Sequence, residues 1–499
     1  MESAQRRLPV GNVQMDPMAF TYLPRTSPES VGVSSPNIVA FVQAVNRSGI
    51  GLHSFMLLRK GAVIAEGWWE PYQKHDVHLL YSLSKSFTST AVGLAVQDGS
   101  LSLDDPVISF FPDETPTNPC ENLKAMKVRH LLSMSCGHAK DDMADMYARE
   151  DGNWVRGFLE RDVEFKPGTH FLYNSSASYI LSAIVQHVTG STVLDYLGPR
   201  LLDPIGIEQA TWEMSPQGIN TGGWGMSVTT EAIARFGQLY LQKGAWNGQI
   251  IMSEEWIAEA TRAHVSNGSN PDSDWEQGYG FQFWRCRNDC YRGDGAFGQY
   301  CIVMPDKEMV VAITSAVDNM QDVLNLVWEH LLPAVKSDRL TEDYAAQRAL
   351  ARELVALQLT GPEGYSVSTL RDTISGKTYR RSEGEGDIQW CRFDLSPSEG
   401  FGPGECRLTI CRGGIEHTIR AGGVEWIHGE SDIETPGQKI AAFGAWVKDD
   451  LYEMKIVDTR SPSGATIRAS FSGDRVELTT TLQYRFGPPE GPSFVGQAC

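Results

Sequence analysis

No apolar run in the 499-residue chain is long enough to cross a membrane as a helix. Clustered basic residues are also missing: 43 Lys and Arg against 62 Asp and Glu leave a net charge of −19. That balance sets aside nucleic acid and anionic membrane surfaces as partners, because both demand a basic patch. An export signal fails for a different reason. Arg6 and Arg7 have the charge to begin one, but Pro9, Gly11, Asn12, Gln14 and Asp16 interrupt the apolar stretch that would have to follow. Cysteine is sparse and odd in number, nine along the whole chain, which reads as reduced thiols in a cytoplasmic protein. Cys286 and Cys290 come closest to a ligand spacing, yet no second Cys or His pair lies near them. No metal or other cofactor is expected on that basis. The glycine run Gly222-Gly223-Trp224-Gly225 follows no strand and lacks the Gly-x-x-x-x-Gly-Lys-Ser/Thr pattern, so it is not read as a phosphate loop.

What the chain does carry is concentrated in Tyr81-Ser82-Leu83-Ser84-Lys85-Ser86-Phe87-Thr88-Ser89. Of all its serines only Ser82 has a lysine at the third position after it, and residues three apart share one helix face. A serine hydroxyl is a weak nucleophile until a base takes its proton. Lysine can be that base only where burial or a neighbouring charge keeps it neutral. Phe87, Ala91, Leu94 and Ala95 recur at helical spacing, and Asp98-Gly99 supplies a stop. Ser82 is therefore expected at a helix N-terminus, where the dipole and free N–H groups favour a developing oxyanion.

Around this stretch the pattern alternates between strand and helix periods. Ser35-Pro36 opens a helix with Ile38, Phe41, Val42 and Val45 on its apolar side, and residues 54–66 read as a hairpin turning at Lys60-Gly61. Helical segments follow through Tyr240. Strands return from Gly280, with turns at Gly293-Asp294-Gly295 and Pro305-Asp306-Lys307. Strands at both ends and helices between them predict one antiparallel sheet with an inserted helical region. Beyond a helix at Tyr344–Leu359 the period becomes strictly two, as in Tyr452/Met454/Ile456, which predicts a separately folded all-β barrel or sandwich. The expected division is an irregular arm over 1–25, an α+β domain over 26–335, a helical linker over 336–362 and the all-β domain over 363–499.

The Ser82-Leu83-Ser84-Lys85 motif and the Asp98-Gly99-Ser100-Leu101-Ser102-Leu103-Asp104-Asp105-Pro106-Val107 stretch that follows resemble the β-lactamase and penicillin-binding-protein superfamily of serine hydrolases. The likeness runs over roughly residues 25–335 and lies with its class C-like and esterase branch. It implies the β-lactamase/transpeptidase-like fold, with an antiparallel sheet plus a helical region. The family's second motif, Tyr-x-Asn, falls at Tyr173-Asn174-Ser175. By resemblance Tyr173 joins Ser82 and Lys85 in catalysis, and Asn174 and Ser175 border the substrate. The third motif falls in Arg292–Tyr300, where Gly295-Ala296-Phe297-Gly298-Gln299 is similar to the strand of 6-aminohexanoate oligomer hydrolases. By that likeness the N–H groups of Ser82 and Ala296 form the oxyanion hole, and Asp294, Gly295 and Phe297 line the substrate.

The resemblance implies that Ser82 attacks a small ester or amide, a β-lactam being one such amide. Lys85 and Tyr173 are expected to share a proton as a coupled pair, the ammonium lowering the phenol. The lysine that β-lactamases carry in the third motif is absent, and Asp294 stands in the expected turn. A like charge there predicts uncharged substrates over penicillins and cephalosporins. Acyl transfer to an alcohol or amine is the neighbouring alternative, and a non-catalytic binding or assembly protein the more distant one. His130, His138 and His187 are read as structural, and Trp275 and Trp284 as core. Oligomeric state leaves no mark in the sequence.

Overall fold

The computed structural model describes residues 23–141, 143–395, 402 and 404–499; residues 1–22 of the expected arm lie outside the described residues. Ser35–Ser48 is a helix with proline in its first turn and Gly49 closing it in the left-handed region. Ile38, Phe41, Val42 and Val45 are its buried stripe, as their spacing dictates. The next two apolar runs pair as the antiparallel hairpin Gly51–Arg59 and Ala62–Trp68.

These strands begin a six-stranded sheet in the order Ala62–Trp68, Gly51–Arg59, Met309–Ala316, Gln299–Met304, Tyr291–Gly295, Trp284–Arg285. Every neighbouring pair is antiparallel. The two ends of the domain meet in the middle, in a register from Gly51 opposite Ala316 to Arg59 opposite Met309. Side chains alternate across the pleat. Met56 and Leu58 face one core with the helices Ser84–Gln97, Ser175–Thr189 and Thr230–Leu241. Phe55 and Leu57 face a second core with Phe41, Leu324 and Leu331. The inserted helices thus all pack on the face that will carry Ser82.

Two expectations change. Gly293-Asp294-Gly295 is not a turn: Tyr291–Gly295 is a strand buried along its whole length. The chain reverses one step later, where the Gly298 N–H donates to Gly295 O at 3.1 Å. Glycine is needed there for approach. A Cβ on Gly295 would collide with the Leu80 carbonyl, and one on Gly293 with Leu83 and Ser86. The helix beyond residue 336 also differs from a linker. It spans Tyr344–Val355, and Leu350 and Leu357 are buried in the second core. Glu70 N–H donates to Leu357 O at 3.0 Å and Leu359 N–H to Glu70 O at 2.8 Å, so this segment extends the edge of the hairpin.

The C-terminal strands, from Thr378–Glu383 to Phe494–Ala498, form one ten-stranded antiparallel sheet. Its edge strands Ile415–Ala421 and Ile427–Ser431 are consecutive in the chain. Gly422 nearly closes the ring, donating to Ala442 O at 3.2 Å and accepting from Gly444 N at 2.8 Å. The result is a barrel rather than a sandwich. It packs on the first domain: Tyr72 sits among Trp426, Ala441 and Val457, and Leu79 N–H donates to Arg460 O at 2.7 Å. Among the described residues no helix is long and apolar enough to cross a membrane.

Leu357→Ala is expected to destabilise the chain by about 3 kcal/mol through the cavity it leaves. Urea denaturation reads this directly, and a change below about 0.5 kcal/mol would return the segment to the role of a spacer.

Candidate active site

Ser82 lies half-exposed in a single 3-10 turn, Tyr81–Leu83, that runs directly into the helix Ser84–Gln97. Tyr81 has a φ of +47°, a region that bulky residues occupy only where their surroundings fix them. The fixing contacts are local. Ser84 Oγ donates to Tyr81 O at 2.6 Å and accepts from Met226 N at 3.1 Å, while Leu80 N–H donates to Met226 O at 2.8 Å. On the other side the bare backbone of Gly293 and Gly295 presses against the same turn.

Lys85, one helical turn on, is 1 % exposed. Its Nζ has three partners: Gly223 O at 2.7 Å, Ser175 Oγ at 2.9 Å and Ser82 Oγ at 3.0 Å. A neutral amine has two N–H groups and one lone pair. Two partners can take the N–H groups and leave the lone pair for the Ser82 hydroxyl. Burial supplies the neutral form, lowering the Lys85 pKa to about 7, against a weaker upward pull from Asp294 and Asp141.

The glycine run that resembled no phosphate loop therefore has a different use, since its Gly223 carbonyl holds the lysine. Thr88 Oγ1 donates to Gly222 O at 2.7 Å and ties the run to the Ser82 helix. Nothing in the sequence near Lys85 pointed to Gly223. The usable signal was the glycine itself, whose Cβ would stand 2.9 Å from Ser175 O.

Tyr173 enters from the segment before the helix Ser175–Thr189. That segment is held by Met134, itself at φ +54°: Leu172 N–H donates to Met134 O at 2.9 Å and Asn174 N–H to Met134 Sδ at 3.3 Å. The Tyr173 ring stacks on Trp284 at 5.2 Å and lies under Lys85 Nζ, 4.8 Å from the ring centroid. The amine thus meets the face of the phenol. Tyr173 is accordingly held above the ordinary tyrosine range, by burial first and by Asp294 second, with a hydrogen bond to Ser82 pulling weakly down. The expected lowering by Lys85 does not occur, because Lys85 is itself desolvated. Trp284, read from sequence as core, is the stacking partner of Tyr173.

Asn174 is also placed differently. It caps its helix, Oδ1 accepting from Ser176 N at 2.9 Å and Ala177 N at 3.4 Å, and it is 1 % exposed. Its Nδ2 lies 3.3 Å from His138 Nδ1, so the buried side chain turns away from the site, and Ser175, the next residue, faces Lys85 instead. Such a cap is a local helix requirement, which the family motif had obscured.

On the strand side, Ala296 follows Gly295 and precedes Phe297, which is at φ +63°. Among the described residues the N–H groups of Ser82 and Ala296 donate to no protein acceptor. Asp294 does not act as a free anion. Because Tyr291–Gly295 is extended, Arg292 and Asp294 share a face, and Arg292 Nη2 lies 2.8 Å from the Asp294 carboxylate. Arg292 is wholly buried, donates to Asp274 O at 2.7 Å, and lies over the Trp275 ring at 4.3 Å. Burial pushes the Asp294 carboxyl up while Arg292 pulls it down. The pair carries no net charge, so repulsion of anionic ligands does not arise from Asp294.

The family model described as Beta-lactamase matches residues 38–332, a range that includes Ser82, Lys85, Tyr173 and Ala296 and ends before the barrel. The chain is similar to 6-aminohexanoate-dimer hydrolase of Paenarthrobacter ureafaciens, 25% identical over 284 residues, covering 53% of this chain and 72% of that one. It is also similar to lovastatin esterase of Penicillium rubens, 27% identical over 167 residues, covering 29% of this chain and 41% of that one. A solved structure assigned as a 6-aminohexanoate-dimer hydrolase from Bacillus anthracis superposes with a TM-score of 0.52 at 18% identity, over 64% of this chain and 90% of that one. This last likeness concerns the fold alone.

Asp294→Asn leaves the buried Arg292 charge unpaired and is expected to lower stability by about 3–5 kcal/mol. A thermal or urea melt unchanged from the parent would show that Asp294 is not the counter-ion.

Proposed function

From the premise that the chain belongs to the beta-lactamase family, whose members here include hydrolases of esters and amides, we propose that it hydrolyses a small uncharged ester or amide through an acyl-enzyme on Ser82. The observation that carries this reading is the buried Lys85 amine 3.0 Å from the Ser82 hydroxyl. Ser82 Oγ attacks the carbonyl carbon as its proton passes to the Lys85 lone pair. The negative charge on the carbonyl oxygen is received by the N–H groups of Ser82 and Ala296, which have no other acceptor among the described residues. Tyr173, kept protonated, gives its proton to the leaving oxygen or nitrogen and regains the one held by Lys85 through the water that takes the leaving group's place. Water then attacks the acyl-enzyme with Lys85 again as base, releasing the acid and restoring Ser82.

Preference for uncharged substrates has a different source from the one the sequence implied. Arg292 is engaged by Asp294, and Lys85 is neutral above pH of about 7. Neither cation is available to a substrate carboxylate. All nine cysteines are free thiols, which supports a reducing, cytoplasmic setting.

Intact-mass analysis after exposure to a fluorophosphonate tests the reading. One adduct mapping to the peptide of Ser82 is expected, absent in Ser82→Ala, whose turnover of nitrophenyl esters falls by roughly three orders of magnitude or more. An adduct that persists in Ser82→Ala places the nucleophile elsewhere.

A further inference from the structure

The C-terminal barrel is filled at one end and hollow at the other. Tyr379, Phe393, Leu408, Tyr452, Met454 and Phe471 pack the closed end, each at most 3 % exposed. Toward the other end the interior residues are aliphatic: Ile388, Ile410, Ile419, Ile440, Ile456 and Ile467 keep 3–9 % exposure, and they line a cavity of about 560 Å³. Sites that take a whole small molecule have this size. An eight-stranded barrel can be filled by its own side chains, and ten strands enclose more than these isoleucines occupy.

Both arginines of the rim are paired with carboxylates, and Asp458 is held by neutral donors; Glu490 is a further rim carboxylate. Arg485 meets Glu434 at 2.9 Å, Arg412 meets Asp387, and Asp458 accepts from Gln438 Nε2 at 3.1 Å and Ser461 Oγ at 2.9 Å. With both arginines engaged and the two remaining carboxylates offering no cation, the cavity has no free positive charge for an anion, and its isoleucine-lined part suits an uncharged apolar group.

The hollow end is also the end that meets the acylation site. Ser463, in the cavity wall, hydrogen-bonds the Tyr81 side chain. Arg485, also in the wall, stands between Tyr484 and Phe486, whose rings lie 6.2 Å and 5.5 Å from that of Phe297. Phe486 reaches Tyr81 at 5.8 Å while remaining 70 % exposed. Tyr81 and Phe297 are the chain neighbours of Ser82 and Ala296, so one residue of chain separates the cavity wall from aromatic rings at the mouth of the site.

We propose that the barrel cavity binds an apolar chain, the alkyl part of an uncharged ester or amide whose carbonyl reaches Ser82 past Tyr81, Phe297 and Phe486. The link to Ser82 rests on the hydrolase reading; the binding of an apolar chain in the barrel does not. The substrate class is thereby narrowed to long-chain neutral esters or amides.

The test uses the full chain in two arms. Ser82→Ala protein is titrated with the neutral dye N-phenyl-1-naphthylamine, which should saturate at one site. Ile467→Trp and Ala465→Phe, each of which fills the cavity, should weaken that binding by about tenfold or more. In the parent chain the ratio of kcat/KM for nitrophenyl decanoate over nitrophenyl acetate should be about ten or greater, falling toward one in both filled proteins. Absence of saturable dye binding, or equal binding in both filled proteins with unchanged circular dichroism, overturns the cavity. Dye binding lost on filling while the decanoate-to-acetate ratio stays put overturns its link to Ser82. Failure of the fluorophosphonate adduct leaves the dye arm readable, so the two readings fail separately.

Discussion

One desolvated amine sets the terms for the rest of the site. Lys85 loses the water that would stabilise its charge, and it receives in return Gly223 O, Ser175 Oγ and the Ser82 hydroxyl. None of these is an anion, so the neutral form is favoured by burial without being reversed by a counter-charge. Asp294 is near enough to oppose this, yet Arg292 already engages its carboxylate. The buried Arg292–Asp294 pair can thus be understood as protecting the lysine from its neighbour. A buried ion pair contributes little net stability, and here it keeps an acidic strand next to the amine without charging it.

Holding that amine requires backbone to approach backbone on two sides. The helix Ser84–Gln97 is buried over Ser84–Ala95, with the strand Tyr291–Gly295 against its start and the Gly222–Gly223 loop against its first turn. Four of the twelve non-glycine residues with positive φ among the described residues, Tyr81, Met134, Gln282 and Phe297, surround the same place. Gln282 shows how such a residue is over-determined, its Nε2 donating to Leu132 O at 2.8 Å, its Oε1 accepting from Ser178 Oγ at 2.6 Å and its carbonyl accepting from Ser86 Oγ at 2.9 Å. Conformations of this kind persist where many contacts fix them, and they collect at functional sites.

Much of this was legible in the sequence where the requirement is local. The three-residue spacing of Ser82 and Lys85, the stripe of Ile38, Phe41, Val42 and Val45, and the two-residue period of the barrel each follow from one element's geometry. What stayed hidden depends on partners far along the chain. Gly293 and Gly295 resemble a turn until Leu80 and Leu83 are placed beside them. Asn174 fits a substrate motif until its side chain is found capping its own helix. The Tyr344–Val355 helix reads as a spacer because its burial comes from the Ser35–Ser48 helix and the hairpin after it, about three hundred residues earlier. Phe486, near the end of the chain, gave no sign of standing beside Tyr81.

In the proposed reaction Lys85, neutral near physiological pH, takes the Ser82 proton. The rate of Ser82 acylation by a neutral activated ester, followed from pH 5 to 11, measures this most directly. Lys85 sheds its proton as pH rises through its folded-state pKa, and only the neutral amine accepts one, so the rate should climb through an inflection at about 7 and then level. An inflection at the ordinary lysine value of 10.5, or the same inflection at 7 retained in Lys85→Ala, would contradict the account.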